Sequence, residues 1–265
     1  MHPLMGAICG DIIGNPYERR QNRTKDYNFE LFPPRYHFTD DTILTIAVAA
    51  WLMGERTDRR LIDLMRLYGR KYWRKGFSRT TLKWLFQNDD TPCGSTGNGA
   101  AMRVSAIGWV ANDLEEALSL ARQSAMVTHN TDEGVRGAQA VTAAIFLNRT
   151  GHSKAEIREY IESNFGYDLS RTPEQIRPDY AFDATCDGSV PQAICCWLYS
   201  DNYEQTIRNA VSLGGDADTQ AAIAGSIAVA TPGWTIPEEW YKKAYSNIGA
   251  LFRQINDDFE SLVRC

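Results

Sequence analysis

Apolar residues recur every three to four positions along most of this chain. In "DRRLIDLMRLYGRKYW" (58–73) Leu61, Met65, Tyr68 and Tyr72 share one helical face. In "DLEEALSLARQSA" (113–125) the stripe is Leu114, Ala117, Leu118, Ala121 and Ala125. Start signals agree with a helical reading. Ser153 and Glu156 form a capping box ahead of Ile157 and Ile161, and Pro237 with Glu238 and Glu239 suits a first helical turn. Two segments depart from the amphipathic rule. "TILTIAVAAWLMG" (42–54), behind Asp40 and Asp41, carries no charge, and neither does "TQAAIAGSIAVAT" (219–231), behind Asp216 and Asp218. A helix that is apolar all round must be buried. Alternating strand-like runs are hard to find, so the pattern predicts an all-α protein.

No internal repeat of fixed period and no Pro/Gly/Ser-rich linker divides the 265 residues, which read as one domain over 1–265. The less regular stretches are 15–38, 88–99 and 166–189, rich in Pro, Gly, Asn and Asp, and loops on a rigid scaffold are where sites usually sit. The N-terminus, "MHPLMGAICGDIIG", lacks a basic leader, and no run approaches the roughly 20 apolar residues of a membrane span, so a cytoplasmic, membrane-free protein is expected. A net charge of −5 argues against nucleic acid as the general partner and leaves room for a local basic patch. Cys9, Cys93, Cys186, Cys195, Cys196 and Cys265 show neither a C-x-x-C pair nor a zinc-like spacing, and read as small core residues.

The charge-free helices make their leading acids conspicuous. Thr39 or Asp40 as an N-cap accounts for one carboxylate, not two, and the same doubling recurs at Asp216 and Asp218. Four carboxylates at the mouths of interior helices would raise one another's pKa or destabilise the fold by several kcal/mol unless neutralised. Buried arginines would serve, yet neither helix supplies one. A hard divalent cation, Mg2+ or Mn2+, takes carboxylate and hydroxyl oxygens, and Thr39 and Thr219 stand beside the acids. Two carboxylate pairs suggest two ions; the competing reading is two independent caps that never meet.

"CGSTGNGAAMRVSAIGW" (93–109) is a glycine-rich loop ahead of a helix, in which the N–H groups of Ser95 to Gly99 are free to face outward as an anion site. It is neither a Walker loop nor a dinucleotide fingerprint, and an ordinary capped loop competes with it. "GAICGDIIGNPYE" (6–18) adds Asp11 and Glu18 near glycines that permit close helix packing, and His129 lies in the turn-like "MVTHNTDEG" (126–134). No His-Asp pair and no G-x-S-x-G elbow is present. A D-D-x-x-D isoprenoid-synthase motif fails, because no Asp stands at its last position behind Asp40 and Asp41.

In this order, "GAICGDIIGNPYE", "FTDDT", "GSTGNGAAMR", "THNTDEG" and "GGDADTQAAIAGSIA" resemble the ADP-ribosylglycohydrolase family over residues 6 to about 230. The resemblance implies a single compact orthogonal helical bundle with two Mg2+ or Mn2+ ions at the bottom of a cleft. By motif match the metal ligands would be Thr39, Asp40, Asp41, Asp216, Asp218 and Thr219. Glu18 matches a glutamate on a mobile loop over the metals. Ser95, Gly97, Asn98 and Gly99 match the loop that holds pyrophosphate and ribose, and His129 a histidine near them. "DGSVPQAI" resembles a further cleft-lining turn, and Thr96 stands where some members place an aromatic on adenine. The implied reaction is hydrolysis of the glycosidic bond between ADP-ribose and an acceptor, with Asp40, Asp218 or Glu18 as general base. The acceptor (arginine, serine, O-acetyl-ADP-ribose or a nucleic acid) would be decided by the loop at 15–38, made basic by Arg19, Arg20 and Arg23. The alternative is an ADP-ribose reader with an intact cleft and little chemistry.

Overall fold

The computed structural model describes residues 2–264, so Cys265 lies outside the described residues. Fourteen α-helices run through them: α1 (Met5–Glu18), α2 (Asp40–Leu52), α3 (Asp58–Lys71), α4 (Arg79–Phe86), α5 (Ser105–Val110), α6 (Leu114–Met126), α7 (Asp132–Arg149), α8 (Lys154–Phe165), α9 (Pro173–Ile176), α10 (Cys186–Leu198), α11 (Tyr203–Ser212), α12 (Ala217–Ala228), α13 (Glu238–Asn247) and α14 (Ala250–Arg264). Among the described residues the only β pairing is a single bridge between Gly97 and Thr185. The all-α expectation holds. No described helix is long and apolar enough to cross a membrane.

The two charge-free segments become α2 and α12, buried along nearly their whole lengths. Thr39 caps α2 by accepting the Asp41 N–H, and the capping box at Ser153 and Glu156 is present. The stripes behave as read: Leu61, Met65 and Tyr68 are buried on α3, and Ala117, Ala121 and Ala125 on α6. Cys9, Cys186, Cys195 and Cys196 are buried, and Cys93 is half-buried. Two loop assignments are corrected. The stretch at 15–38 is helical to Glu18, and the one at 166–189 contains α9 and the start of α10. Asp187 to Ile194, expected as a turn, lies inside α10 because Thr185 caps the helix ahead of it through the Gly188 N–H.

Backbone proximity at the centre sets the arrangement of the site. Gly6, Gly10 and Gly14 recur every four residues on one face of α1, and a Cβ there would lie 2.5, 2.2 and 2.3 Å from the carbonyls of Gly225, Ala221 and Ala217. The pairing order shows that α1 and α12 run antiparallel at near backbone contact. The end of α1 therefore meets the start of α12, so Glu18 arrives beside Asp216 and Asp218. From the same helix Asp11 reaches the mouth of α2.

Overpacking a fixed backbone crossing costs roughly 1–3 kcal/mol or more. Gly10→Ala is expected to lower unfolding stability by about 2 to 4 kcal/mol in urea titration. At Gly54 the nearest atom to an added Cβ is 3.8 Å away. There Gly→Ala should stay within about 0.5 kcal/mol of the parent.

Candidate active site

Three helix ends converge on one cleft of about 360 Å3. Asp11, fully buried on α1, organises the first. Its Oδ2 accepts the N–H groups of Thr39 (2.9 Å) and Thr42 (3.1 Å) and the Thr42 hydroxyl (2.5 Å), while its Oδ1 accepts the Thr39 hydroxyl at 2.8 Å. Two of the orphan donors at the mouth of α2 are satisfied by a carboxylate from another helix. The second end, α12, is joined to the first by the Thr219 hydroxyl, which donates to Asp41 Oδ2 at 3.3 Å. The two acidic motifs, 178 positions apart at this contact, are therefore one site, and the reading as independent caps is overturned.

Glu18, at the end of α1, completes the cluster. Single oxygens of Asp11, Asp41 and Asp218 lie within 4.8 Å of one another, and so do those of Glu18, Asp216 and Asp218. Asp218 belongs to both groups. Asp40 belongs to neither; it lines the cleft opposite Gly76, whose Cβ would fall 2.4 Å from Asp40 Oδ1. Gly76 has a φ of +94°, so this close approach suits glycine alone. Asp41, Asp216, Asp218 and Thr219 also line the cleft, whereas Thr39 is fully buried behind it, its hydroxyl shared between Asp11 and Asp41.

Burial first, and neighbouring carboxylates second, push Asp40, Asp41 and Asp218 well above the usual carboxylate range. Burial also raises Asp11, Glu18 and Asp216, with Arg23 countering at the last two and Asn98 donating a hydrogen bond to Asp216. Asp41 Oδ1 is a buried acceptor with no donor among the described residues. Paired carboxylate oxygens, a hydroxyl beside them and an orphaned buried oxygen are compatible with the oxygen donors that a hard divalent cation takes.

The loop at Ser95 to Gly99 forms another wall of the cleft, with Ser95, Gly97, Asn98, Gly99 and His129 all lining it. Not all its N–H groups face outward as expected. Gly97 donates to Ser95 Oγ at 3.0 Å and Asn98 to the Ala184 carbonyl at 2.8 Å. The Asn98 side chain ties the loop to α12, donating to Asp216 Oδ2 (2.7 Å) and to Ser189 Oγ (3.1 Å). Ser189 thus supports the loop from behind.

Arg103 is the residue that the motifs alone do not single out. Fully buried, it donates to the carbonyls of Gly99 (3.1 Å) and Ser124 (2.5 Å) and to the hydroxyls of Ser124 (3.3 Å) and Thr128 (2.9 Å). Burial lowers its pKa to about 10, which leaves it charged at neutral pH. Thr128 Oγ1 in turn sits 2.7 Å from His129 Nδ1. Nε2 is the ring nitrogen on the side of Gly97 and Gly99. Burial, then Arg103, lowers the His129 pKa to about 3, so the ring that faces the loop is neutral. Asp11 was also absent from the expected ligands. Its signal was a lone carboxylate in an otherwise apolar stretch of helix, without the doubling that singled out Asp41 and Asp218.

The segment after Glu18 is pinned down along its length. Arg23 Nε donates to the Glu18 carbonyl (2.9 Å) and its guanidinium covers the Phe182 ring at 4.1 Å. Lys25 Nζ donates to the carbonyls of Arg177, Tyr180 and Leu213, and Arg208 to those of Tyr27 and Phe29. Glu18 itself sits on the last turn of a helix, not on a loop.

Residues 3–264 match the model of the family described as ADP-ribosylglycohydrolase. The chain is similar to ADP-ribosylhydrolase ARH3 of Bos taurus, with 23% identity over 338 residues covering 97% of this chain and 92% of that protein. It is 28% identical over 181 residues to the ADP-ribosylarginine hydrolase Tri1 of Pseudomonas putida (strain GB-1), covering 64% of this chain and 47% of the relative. A solved structure described as an ADP-ribosylglycohydrolase-related protein complex superposes with a TM-score of 0.76 at 22% identity, covering 99% of this chain and 96% of that one, which fixes the likeness of fold.

The raised carboxylates carry a pH prediction. Their folded pKa values lie above the unfolded value near 3.8, so without cation the folded state binds more protons and loses stability as pH rises through the raised pKa values. Cations need the deprotonated form, so they should stabilise most at high pH. Differential scanning fluorimetry with about 1 mM Mn2+ is expected to raise Tm by about 5 °C near pH 8 and by clearly less near pH 5.5. Asp41→Asn is expected to raise the cation-free Tm and to remove most of the Mn2+ gain.

Proposed function

This chain belongs to the ADP-ribosylglycohydrolase family, and we propose that it hydrolyses the bond between C1 of the distal ribose of ADP-ribose and an acceptor, reversing ADP-ribosylation. The observation that carries the reading is the merger of two distant acidic motifs at the floor of a cleft whose wall is the Ser95–Gly99 loop with His129. Asp11, Asp41, Asp216 and Asp218, with Thr219 and Thr39 beside them, would hold two divalent cations, Mg2+ or Mn2+. When bound, such ions supply Lewis-acid charge that orients a ribose diol and activates water.

The chain's own groups divide the remaining work. His129 Nε2 and the uncommitted N–H groups of the loop hydrogen-bond the pyrophosphate and ribose, and because the histidine is neutral it binds without adding charge. The bond to the acceptor breaks through an oxocarbenium-like transition state, which the surrounding carboxylates favour electrostatically. The attacking water must lose a proton to one of them. Asp218, common to both acid groups, would be committed to holding the cations, which leaves Asp40 and Glu18 as the bases, both raised above the usual carboxylate range by burial. Arginine, which forms part of one relative's name, is the first acceptor to compare, beside serine, O-acetyl-ADP-ribose and nucleic-acid ends.

Asp40→Asn and Asp218→Asn are each expected to keep the parental melting profile or better and to lose at least about 100-fold in kcat on an ADP-ribosylated peptide. Unchanged turnover in either variant would remove the basis of the proposal. A panel of arginine-, serine- and nucleic-acid-linked ADP-ribose, assayed with Mg2+ and with Mn2+, identifies the acceptor. Calorimetry with free ADP-ribose beside that panel tests the reader alternative: tight binding with no turnover of any substrate would establish a binding module.

A further inference from the structure

The charge of this chain is unevenly distributed. Between residues 56 and 83 there are ten Lys and Arg against two Asp, in a chain whose net charge is −5. Arg59 and Arg66 are tied to Asp63 and Asp90 at the far edge of this segment, and Arg56 to Glu116. Arg60, Arg70, Lys71, Arg74, Lys75, Arg79 and Lys83 form no ion pair among the described residues, and all but the half-buried Lys75 are exposed. Such a concentration of unpaired cations repels itself and would be costly to maintain as a mere solvated face.

Two further features mark it as a surface for a partner. Trp73 and Phe86 are 45% and 54% exposed, large apolar rings in the middle of the charge, with the guanidiniums of Arg74 and Arg70 over them at 4.6 and 5.8 Å. On α4, Arg79, Lys83 and Phe86 fall on one face by helical spacing. The patch is also continuous with the cleft. Gly76, Ser78, Thr80 and Thr81 line it, and Gly76 lies against Asp40. A ligand tracking along α3 and α4 would run directly to the acid cluster.

Exposed rings interleaved with unpaired cations match a single-stranded nucleic acid, whose bases stack and whose phosphates take the charge. An acidic peptide would use the cations and leave the rings without partners. We propose that the α3–α4 surface binds single-stranded nucleic acid and delivers its ADP-ribosylated end to the cleft. This deepens the proposed function, on which it rests for the chemistry alone. There the bond between ribose C1 and the strand's acceptor atom breaks, water supplies the hydroxyl to C1, and its proton goes to the acceptor atom.

The test is fluorescence anisotropy of a labelled, unmodified oligothymidylate of about 15 nucleotides with the full chain, together with turnover of an ADP-ribosylated peptide and of an ADP-ribosylated oligonucleotide. If about five phosphates are engaged, log K should fall with log salt at a slope near −3.5, a loss of about 100-fold between roughly 50 and 200 mM salt. The triple variant Lys71→Glu, Arg74→Glu, Lys83→Glu is expected to bind at least about tenfold more weakly with a slope reduced by about 2, and Trp73→Ala to lose about tenfold. Peptide turnover should be unchanged in both, and KM for the ADP-ribosylated oligonucleotide should rise. No saturable binding at about 50 mM salt, indifference to both variants, or equal competition by polyglutamate would overturn the surface assignment, whatever the peptide assay shows. Binding as expected with the peptide cleaved and the oligonucleotide untouched would overturn the delivery of the strand's end. Loss of all turnover with binding intact would instead count against the proposed hydrolysis.

Discussion

The gathering of six carboxylates at one junction, four of them buried and two half-buried, is the constraint around which the molecule is organised. Asp11, Glu18, Asp40, Asp41, Asp216 and Asp218 come from three helices; burial raises all of them, and repulsion from the other carboxylates adds to it at Glu18, Asp40, Asp41 and Asp218. Such a cluster persists only where the surrounding fold is stable enough to hold it, and where a function needs concentrated negative charge. Most of the local hydrogen bonding is disposed accordingly. The donors at the mouth of α2 are committed to Asp11, Asn98 is committed to Asp216, and one oxygen of Asp41 is left open.

What makes the junction rigid is backbone packing, not side-chain packing. The antiparallel crossing of α1 and α12 at glycine distance leaves no play between Glu18 and Asp218, because carbonyl groups of one helix occupy the space where side chains of the other would be. The opposing wall uses a different device. Arg103, a buried cation with no carboxylate partner among the described residues, gathers carbonyl and hydroxyl oxygens from the loop and from the end of α6, and through Thr128 it is linked to His129.

Helical periodicity, the buried status of α2 and α12, and the surplus of acids at their mouths were legible in the chain, because each depends on local spacing and on the energetics of burying charge. The order of motifs then pointed to one family. Some departures were local too: α10 begins earlier than its glycine and proline suggest, because Thr185 provides a cap that outweighs them, and Glu18 remains within α1 although Pro16 precedes it. Asp11 is visible in the chain yet hard to assign from it, since a lone carboxylate within a helix lacks the doubling that makes the other pairs stand out.

Tertiary structure alone decided which acids lie together. In sequence the groups are Asp40 with Asp41 and Asp216 with Asp218; in space they are Asp11, Asp41 and Asp218, and Glu18, Asp216 and Asp218, with Asp40 set apart. Likewise only the fold could show that two N–H groups of the glycine loop are satisfied internally, that burial keeps His129 neutral, and that the basic segment 56–83 runs up to Asp40 at Gly76. The reason is common to all of these. A chain specifies its periodicity and its local charges within a few residues, but a carboxylate's partners are set by helix crossings between segments up to some 200 residues apart, and those crossings are determined by packing the whole core at once.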